Sequence, residues 1–181
     1  GLMNDGSMFA PKYIENKLKF FPFIKEAVAF GNEKDYVSAF LCIDIEAVGN
    51  WAERQNLAYS GYTDLSARSE VYDMLKECVE TVNSDLARDE KLSGSQIKRF
   101  LLLHKELDAD DGELTRTRKV RRRIVAEKYD VLIDALDDPK QTHCEIESEM
   151  TFEDGRTGIV HADLQIREAE RHKTRLHTRV A

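Results

Sequence analysis

The longest apolar segment of the chain, around Val37 to Ile45, sets the strictest limit on how the chain can fold. It is far shorter than the roughly 20 apolar residues that a membrane-spanning helix needs. Apolar and polar residues hardly alternate along it, which predicts a strand, Tyr36–Ile45, that is covered on both faces. We therefore expect this strand to belong to a sheet with flanking helices.

The patterns around this strand predict an α+β domain, a small three-stranded sheet with flanking helices, over about residues 9–138. Proline is favoured in the first turn of a helix, so Pro11 marks the first helix, and Pro139 ends the last one. The predicted strands are Ile24–Phe30, Tyr36–Ile45 and Arg99–His104. The other predicted segments are a short helix from Asn50 to Gln55, a loop over 56–68, a long helix capped by Ser69, a turn at 107–118 and a final helix.

Residues 139–181 are interpreted as a C-terminal extension, because apolar and polar residues alternate there. Two alternating segments flank Asp154-Gly155, a strong turn signal, and predict a β-hairpin over 142–166. A two-stranded hairpin alone is marginally stable in water, so its apolar face should pack on the domain or on another chain. We expect Arg167–Ala181 to be frayed, because this tail is polar and basic.

The charge distribution limits the classes of function. A net charge of −7 over 181 residues disfavours a nucleic-acid binder, whose affinity comes from neutralising phosphates. Thr115–Lys128 nevertheless holds seven basic residues and one acid, which points to a specific anion more than to a polyanion. Three distant cysteines, Cys42, Cys78 and Cys144, match no zinc or disulfide pattern and predict small buried residues in a reducing cytoplasm.

Lys119 stands out within this basic segment by its position. It follows an acidic, Gly-containing turn at 107–118 and lies where a helix is predicted to begin. Backbone N–H groups at a helix start attract anions, whereas positive side chains in the first helical turns oppose the helix dipole. A ligand or an acidic neighbour would compensate that cost. By charge alone, a solvated helix start is the more ordinary interpretation.

Other common site patterns do not occur in the sequence. There is neither a GxxxxGK[ST] loop nor a GxGxxG fingerprint. The five histidines form no cluster with ligand spacing, although His143 and His161 could face each other across the hairpin, so no metal site is predicted. Spacing alone supports no pairing of a nucleophile with a base.

Two short motifs lie at the two ends of the predicted domain. Gly6–Glu15 (GSMFAPKYIE) is similar to a G-x-x-(V/I/F)-x-P-x-x-(I/L)-E segment that follows a domain hinge. Asp111–Arg122 (DGELTRTRKVRR) is similar to a T-x-(S/T)-G-K-(I/V)-x-R motif, with Arg118 in place of the glycine, as in long-chain enzymes. Through these motifs, residues 4–137 resemble the C-terminal lid domain of AMP-forming acyl-CoA synthetases, most closely the bacterial long-chain fatty-acid–CoA ligases.

The resemblance implies a cytoplasmic two-step ligase, which could be peripheral to the membrane. ATP and a fatty acid give an acyl-adenylate and pyrophosphate, and coenzyme A then gives the thioester and AMP. It implies that Lys119 is the catalytic lysine of the first step and that Gly6 and Ser7 help line the pantetheine tunnel in the second. The lid would rotate about a hinge beside residues 1–8. A large N-terminal adenylation domain would hold most of the ATP site, the Mg²⁺ and the acyl pocket, so the chain alone should be inactive.

Several alternatives remain open. Arg116, Arg118 and Arg122 could meet CoA phosphates or acidic groups of the adenylation domain, or have structural roles. The substrate could be a different carboxylate, because the lid does not contact the acyl tail. A non-enzymatic module with residues 115–128 as a basic docking face is the alternative from another class. The resemblance gives the hairpin at 142–166 no role and leaves the oligomeric state open.

Overall fold

Six α-helices, one short 3-10 helix (Ser93–Ser95) and six strands lie in the part of the chain that the computed structural model describes, residues 1–173. The helices are α1 (Pro11–Leu18), α2 (Ile45–Arg54), α3 (Tyr62–Ala67), α4 (Ser69–Leu86), α5 (Arg122–Lys128) and α6 (Asp130–Asp137). The strands are β1 (Ile24–Phe30), β2 (Val37–Ile43), β3 (Ile97–Leu102), β4 (His143–Thr151), β5 (Thr157–Gln165) and β6 (Arg167–Glu168).

β2 lies inside a four-stranded sheet with the strand order β1-β2-β3-β6. It pairs antiparallel with β1 and parallel with β3. Successive side chains of a strand point to opposite faces, and here Ala39 and Leu41 join one core while Phe40 and Cys42 join the other. All seven residues of β2 are buried for this reason. The prediction of a strand covered on both faces is confirmed.

Two layers cover the sheet and give the protein two cores. Apolar residues of α1, α2 and α4 form the first core on one face. The second core, on the other face, combines α5, α6 and the β4–β5 hairpin with Leu103, Leu107 and Leu114. The predicted α+β fold with a small sheet and flanking helices is confirmed. The second core also anchors the segment that leads to Lys119.

A short strand from the predicted tail extends the sheet beyond three strands. β6 pairs antiparallel with β3, and the next residue, Ala169, is buried and donates its N–H to the Lys98 carbonyl (2.8 Å). The prediction of fraying from Arg167 onward is wrong for this segment, because backbone pairing along the β3 edge holds it. Residues 174–181 of the predicted tail lie outside the described residues.

Several helix boundaries differ from the predictions for local reasons. α2 begins before Asn50, because the side chain of Asp44 caps it by accepting a backbone hydrogen bond. The segment 56–68, predicted as a loop, contains the short helix α3. Ser69 is the first residue of α4 and not its cap, since Arg68 occupies the N-cap position.

The helix predicted after the turn is two helices, which Tyr129 separates. The backbone of Tyr129 leaves helical geometry (φ −113°, ψ 28°). Its ring is fully buried in the second core, and its hydroxyl donates to the carboxylate of Glu113. The helix therefore breaks at a residue whose ring is buried and whose hydroxyl is hydrogen-bonded to Glu113.

The predicted hairpin is confirmed, and it packs on the domain. β4 and β5 pair antiparallel over nine residue pairs, and Gly155 adopts the positive φ (83°) that the turn between them requires. Ile146 and Leu164 are buried in the second core, whereas the opposite face of the hairpin is exposed. Of the cysteines, Cys42 and Cys78 are buried as predicted, and Cys144 is half-buried.

Candidate active site

Lys119 lies on a tight turn, residues 114–120, which we call the lysine turn. The two ends of the turn pair through an antiparallel bridge. Thr115 closes it: its N–H donates to the Lys119 carbonyl (2.8 Å), its carbonyl accepts from the Arg118 N–H (2.9 Å), and its hydroxyl accepts from the Lys119 N–H (3.0 Å). The backbone of Lys119 is thus fixed. Its exposed ammonium has no hydrogen bond or ion pair with residues 1–173.

The lysine turn precedes α5, so the prediction that Lys119 lies at a helix start is wrong. A bridge positions it instead, and Arg121 continues this arrangement by donating its N–H to the Glu113 carbonyl (2.9 Å). The helix-dipole argument for anion binding therefore does not apply to Lys119.

Acidic neighbours compensate three of the seven basic residues of Thr115–Lys128, which weakens the alternative of a basic docking face. The ion pairs are Arg122 with Glu15, Arg123 with Glu127 and Lys128 with Glu113.

Arg118 occupies the position at which the motif usually has a glycine, and its backbone conformation suits that residue. Its backbone is left-handed (φ 63°), a conformation that a glycine adopts at little cost and other residues adopt rarely. The turn therefore has the shape that a glycine would favour, although an arginine occupies the position. The strained conformation places Lys119 immediately after the bend.

An open cleft of about 580 Å³ separates the lysine turn from α1 and β1. Three of the predicted site residues, Arg118, Lys119 and Arg122, line it together. They come from the turn and from the start of α5, while the opposite wall belongs to elements near the N-terminus. The remaining lining residues are Lys12, Glu15, Asn16, Lys19, Glu26 and Val120.

The lining of the cleft carries five cations and two carboxylates, so its net charge is positive. Lys19 pairs with Glu26 (3.3 Å), and Arg122 pairs with Glu15. Lys12, Arg118 and Lys119 form no ion pair with any described residue. Three uncompensated cations around one cleft can attract and orient an anion, because a concave surface with an excess of positive charge concentrates counter-ions.

The wall opposite Lys119 is held by Glu15, a nearly buried carboxylate on α1. One of its oxygens accepts the Ala29 N–H (2.7 Å), and the other contacts Arg122. Burial raises the pKa of Glu15, and these two contacts offset the effect only in part. Glu15 therefore connects three parts of the fold: α1, β1 and the segment after the lysine turn.

Beneath the lysine turn lies a group of charges that is buried except for the half-buried Lys128. We call it the carboxylate network: Lys105, Asp111, Glu113 and Lys128. Lys105 contacts Glu113 and lies 2.7 Å from Asp111, and Lys128 lies 3.0 Å from Glu113. The side chain of Glu113 is fully buried and that of Lys105 is 2% exposed. Burial would raise the pKa of Asp111, but hydrogen bonds from Lys105 and the Thr151 N–H and the charge of Lys105 lower it.

The other predicted site residues do not line the cleft. Gly6 and Ser7 belong to a small hairpin over residues 2–8. Gly6 has a positive φ (85°), and no atom lies within 4 Å of the position a Cβ would take, so this bend is open to a partner. Ser7 donates its N–H (2.9 Å) and its hydroxyl (2.6 Å) to Asp5. Arg116 is exposed on the outer side of the lysine turn and has no ion pair with the described residues.

His143 and His161 do not face each other across the hairpin. They pair with Asp163 (2.9 Å) and with Glu147 (3.1 Å) respectively. Residues 1–173 contain no group of three or more His, Cys, Asp or Glu side chains that could hold a metal ion. Within the same residues, none of the helices combines the length and the apolar character that crossing a membrane requires.

Sequence reasoning missed part of the cleft and all of the carboxylate network. Lys12 and Glu15 belong to the first motif and Glu113 to the second, but sequence reasoning assigned no role to these three residues. Lys19 and Glu26 carried no local signal, because only the packing of α1 on β1 brings them opposite the lysine turn. A buried charged side chain inside a motif is the signal that could have found Glu15 and Glu113.

The sequence over residues 2–141 matches the model of a known family, the AMP-binding enzyme C-terminal domain. The chain belongs to this family. The matched residues include both motifs, all of the cleft and the carboxylate network, whereas the β4–β5 hairpin lies beyond them. The family membership confirms the resemblance drawn from the two motifs.

Relatives of this C-terminal domain are parts of larger enzymes. The chain is 32% identical over 132 residues to the long-chain-fatty-acid–CoA ligase FadD15 of Mycobacterium tuberculosis, covering 72% of the chain and 21% of that protein. Thus it spans about a fifth of the curated relative's length. The fold is similar to that of an A-PCP didomain of a carboxylic acid reductase from Segniliparus rugosus in complex with AMP (TM-score 0.56, 16% identity, 75% of this chain and 17% of the other). The adenylation domain of a Mycobacterium chelonae carboxylate reductase gives a TM-score of 0.56 with 18% identity, covering 75% of this chain and 19% of the other.

Proposed function

We propose that the chain is the C-terminal lid domain of an AMP-forming acyl-CoA ligase and that Lys119 is its catalytic lysine. The observation that carries the proposal is an exposed ammonium that has no partner among the described residues. It lies on a backbone-fixed turn beside a cationic cleft, within the family's final motif. Residues 1–8 would be the hinge-side segment, 9–138 the lid and 139–181 an extension.

In the first step, a carboxylate attacks the α-phosphate of ATP, an acyl-adenylate forms and pyrophosphate leaves. Two anions must approach each other, and an ammonium placed between them offsets their repulsion and the charge that develops at phosphorus. Two unit charges about 4 Å apart interact by roughly 4 kcal/mol at an effective dielectric of about 20. This corresponds to on the order of a thousandfold in rate if it acts only in the transition state. Lys119 suits this role because no described residue competes for its ammonium.

In the second step, the thiol of coenzyme A attacks the acyl carbonyl, the thioester forms and AMP leaves. The lid would rotate between the steps, which removes Lys119 and brings the hairpin at residues 2–8 to the active site. The open bend at Gly6 is compatible with a place beside the pantetheine arm, and Ser7 would lie next to it. Arg116 and Arg118, both without ion pairs among the described residues, are proposed to contact CoA phosphates or acids of the adenylation domain. Arg122 is engaged by Glu15, so its main role would be positional.

The adenylation domain would supply the ATP site, the acyl pocket and Mg²⁺. Mg²⁺ prefers carboxylates together with substrate phosphates. The charged side chains of the cleft that have no ion pair among residues 1–173 are all cations, so the ion would be held by the other domain. The relative's name supports a ligase with a long-chain fatty acid as the substrate. The carboxylic acid reductases of similar fold make a different carboxylate the second candidate.

The test separates the two half-reactions in the full-length protein that contains this chain. Lys119→Ala should lower fatty-acid-dependent ATP–pyrophosphate exchange by on the order of a thousandfold. It should leave thioester formation from supplied acyl-adenylate nearly unchanged. Arg123→Ala is the matched control, since Arg123 is an exposed cation of the same segment outside the cleft. Equal losses in both half-reactions would show that Lys119 has no specific role in the adenylation step. The 181-residue chain alone should show no exchange.

A further inference from the structure

The β4–β5 hairpin reaches the base of the lysine turn through one backbone hydrogen bond. Thr151, the last residue of β4, donates its N–H to Asp111 (3.0 Å). The other oxygen of Asp111 contacts Lys105 (2.7 Å). The hairpin, which lies beyond the matched family domain, is thereby joined to the carboxylate network.

Glu113 transmits this connection to the lysine turn. Its carboxylate accepts from Lys105, from Tyr129 and from the Asp108 N–H (3.1 Å). It also forms an ion pair with Lys128 (3.0 Å). Its own backbone N–H donates to the Asp108 carbonyl (3.0 Å). With five contacts on one residue, the backbone of Glu113 has little freedom to move. The next residue begins the lysine turn.

The turn is fixed to Glu113 on both of its sides. It starts at Leu114, and the Arg121 N–H at its far end returns to the Glu113 carbonyl (2.9 Å). Leu114 itself is buried in the second core. The position of Lys119 therefore depends on Glu113 and not on a helix.

The energetics favour a positioning role over a stabilising one. Removing the two carboxylates and the Lys105 ammonium from water is unfavourable, and buried ion pairs often contribute no net stability relative to apolar packing. A buried charge network holds a narrow geometry, however, because an ion that leaves its place loses its partners. A geometry of this kind suits a loop that must present one ammonium to two reacting anions.

We propose that Asp111 and Glu113 are positioning residues for Lys119 and that the β4–β5 hairpin holds them in place through the Thr151 N–H. The catalytic part of this inference, the effect on adenylation, rests on the proposed role of Lys119. The mechanical part, that the hairpin holds the lysine turn in place, concerns the chain itself and can be tested without any activity.

The mechanical test compares two variants at one position. Thr151→Pro removes the N–H, and proline is tolerated at the end of an edge strand. Thr151→Val keeps the N–H and the strand geometry. Amide hydrogen exchange of the 181-residue chain is then followed by NMR, with the amides of β2 as the internal reference. Thr151→Pro should accelerate exchange about tenfold for the donors of the turn, and Thr151→Val less than about twofold. The donors are Glu113, Thr115, Arg118, Lys119 and Arg121.

A second variant covers the case in which Thr151→Pro does not fold. Asp111→Asn keeps the shape of the side chain and removes the charge that meets Lys105. It should accelerate exchange of the same amides about fivefold or more. Exchange equal to that of the unmodified chain, in this variant or in Thr151→Pro, would overturn the inference.

The catalytic test uses the full-length protein. Thr151→Pro should lower kcat of adenylate formation about tenfold, with little change in KM for ATP and in thioester formation from supplied acyl-adenylate. A purely structural defect would lower both half-reactions together and would overturn the inference. If Lys119→Ala abolishes adenylation while Thr151→Pro does not affect it, the positioning role fails and the proposed function stands. If Lys119→Ala has no effect, the proposed function fails, and hydrogen exchange still decides the mechanical part.

Discussion

The carboxylate of Glu15 contacts the guanidinium of Arg122 across 107 positions of the sequence. This ion pair joins α1 to the first residue of α5, so it spans the cleft that Lys119 borders. The two partners differ in burial: the side chain of Glu15 is 9% exposed and that of Arg122 is 41% exposed. The difference makes the pair asymmetric in its response to substitution.

Arg122→Gln should destabilise the fold more than Glu15→Gln does. Loss of Arg122 leaves a buried carboxylate without its cation, at a cost of about 2 kcal/mol, whereas Glu15→Gln leaves a guanidinium that water can reach, at a cost of about 1 kcal/mol or less. Chemical denaturation at pH 7 measures both. Glu127→Gln, which breaks an exposed pair, is the control and should change stability by less than about 0.5 kcal/mol.

The penalty of Arg122→Gln should depend on pH. Burial raises the pKa of Glu15, and without Arg122 one of the influences that lower it is gone. When the pKa of a carboxyl group is raised in the folded state, the free energy of unfolding decreases as pH rises through that pKa. The destabilisation should thus be smaller near pH 4.5 than at pH 7. An equal penalty at both pH values would contradict this account of the pair.

His104 should make the fold sensitive to acid. It is 1% exposed, Nε2 lies 2.7 Å from the Ser148 hydroxyl, and Nδ1 has no hydrogen-bond partner among residues 1–173. Burial lowers its pKa from 6.5 to about 4, and the charge of Lys105 adds to the effect. As pH falls, His104 binds a proton in the unfolded chain before it does so in the folded one. The free energy of unfolding is therefore undiminished by His104 above pH 6.5 and decreases as pH falls toward 4.

Between pH 7 and pH 4, the unmodified chain should lose about 3 kcal/mol more than His104→Gln does. Denaturation midpoints measured across this range provide the comparison. The intrinsic cost of the substitution is read at pH 8, where the histidine is neutral in both states. Parallel curves for the two proteins would show that His104 titrates alike in the folded and unfolded chain.

Arg118→Gly should stabilise the isolated domain. The left-handed backbone of Arg118 costs roughly 1 kcal/mol or more, which glycine avoids, although glycine adds entropy to the unfolded chain. We expect a net gain of up to about 1 kcal/mol, and a loss above about 1 kcal/mol for Arg118→Val, because β-branching disfavours this conformation. Arg116→Gly is the matched control, since Arg116 has no positive φ. It should not be stabilising in thermal or chemical denaturation.

Arg99→Met should be among the most damaging substitutions. The buried guanidinium of Arg99 donates to Ala135 (3.0 Å), Leu136 (2.8 Å) and Asp138 (2.5 Å) carbonyls, and to that of Gln141, at the end of α6. Terminal helix carbonyls need such donors. Losing all of them should cost about 3 kcal/mol or more.

Two variants test the reason for this effect. Arg99→Lys should recover only part of the stability, because an ammonium cannot reproduce the planar fork of donors. Arg123→Met removes an exposed arginine and should cost less than about 0.5 kcal/mol. Full stability of Arg99→Lys would show that charge alone suffices at this position.

The α+β class and three of the four strands of the sheet, β1, β2 and β3, could be predicted because their signals are local. β2 was identified by continuous apolar sequence, and the β4–β5 hairpin by alternation around Asp154-Gly155. The errors arose where distant partners decide. β6 is polar and carries no strand signal, yet pairing along β3 makes it a strand. The helix after the lysine turn has continuous periodicity, and it breaks at Tyr129, which is held by Glu113.

The sequence by itself determined the identity of the key residues: the two motifs, the lysine in the second and the family to which they belong. Residue type and spacing along the chain are sufficient for that, since a motif is local. Only the tertiary structure decided which groups are free and which are engaged. Arg118 and Arg122 look alike in sequence, but packing of α1 on the sheet gives Arg122 a carboxylate partner, whereas Arg118 has none within residues 1–173. Ion pairing depends on distance and burial, and both are set by contacts between residues far apart in the chain.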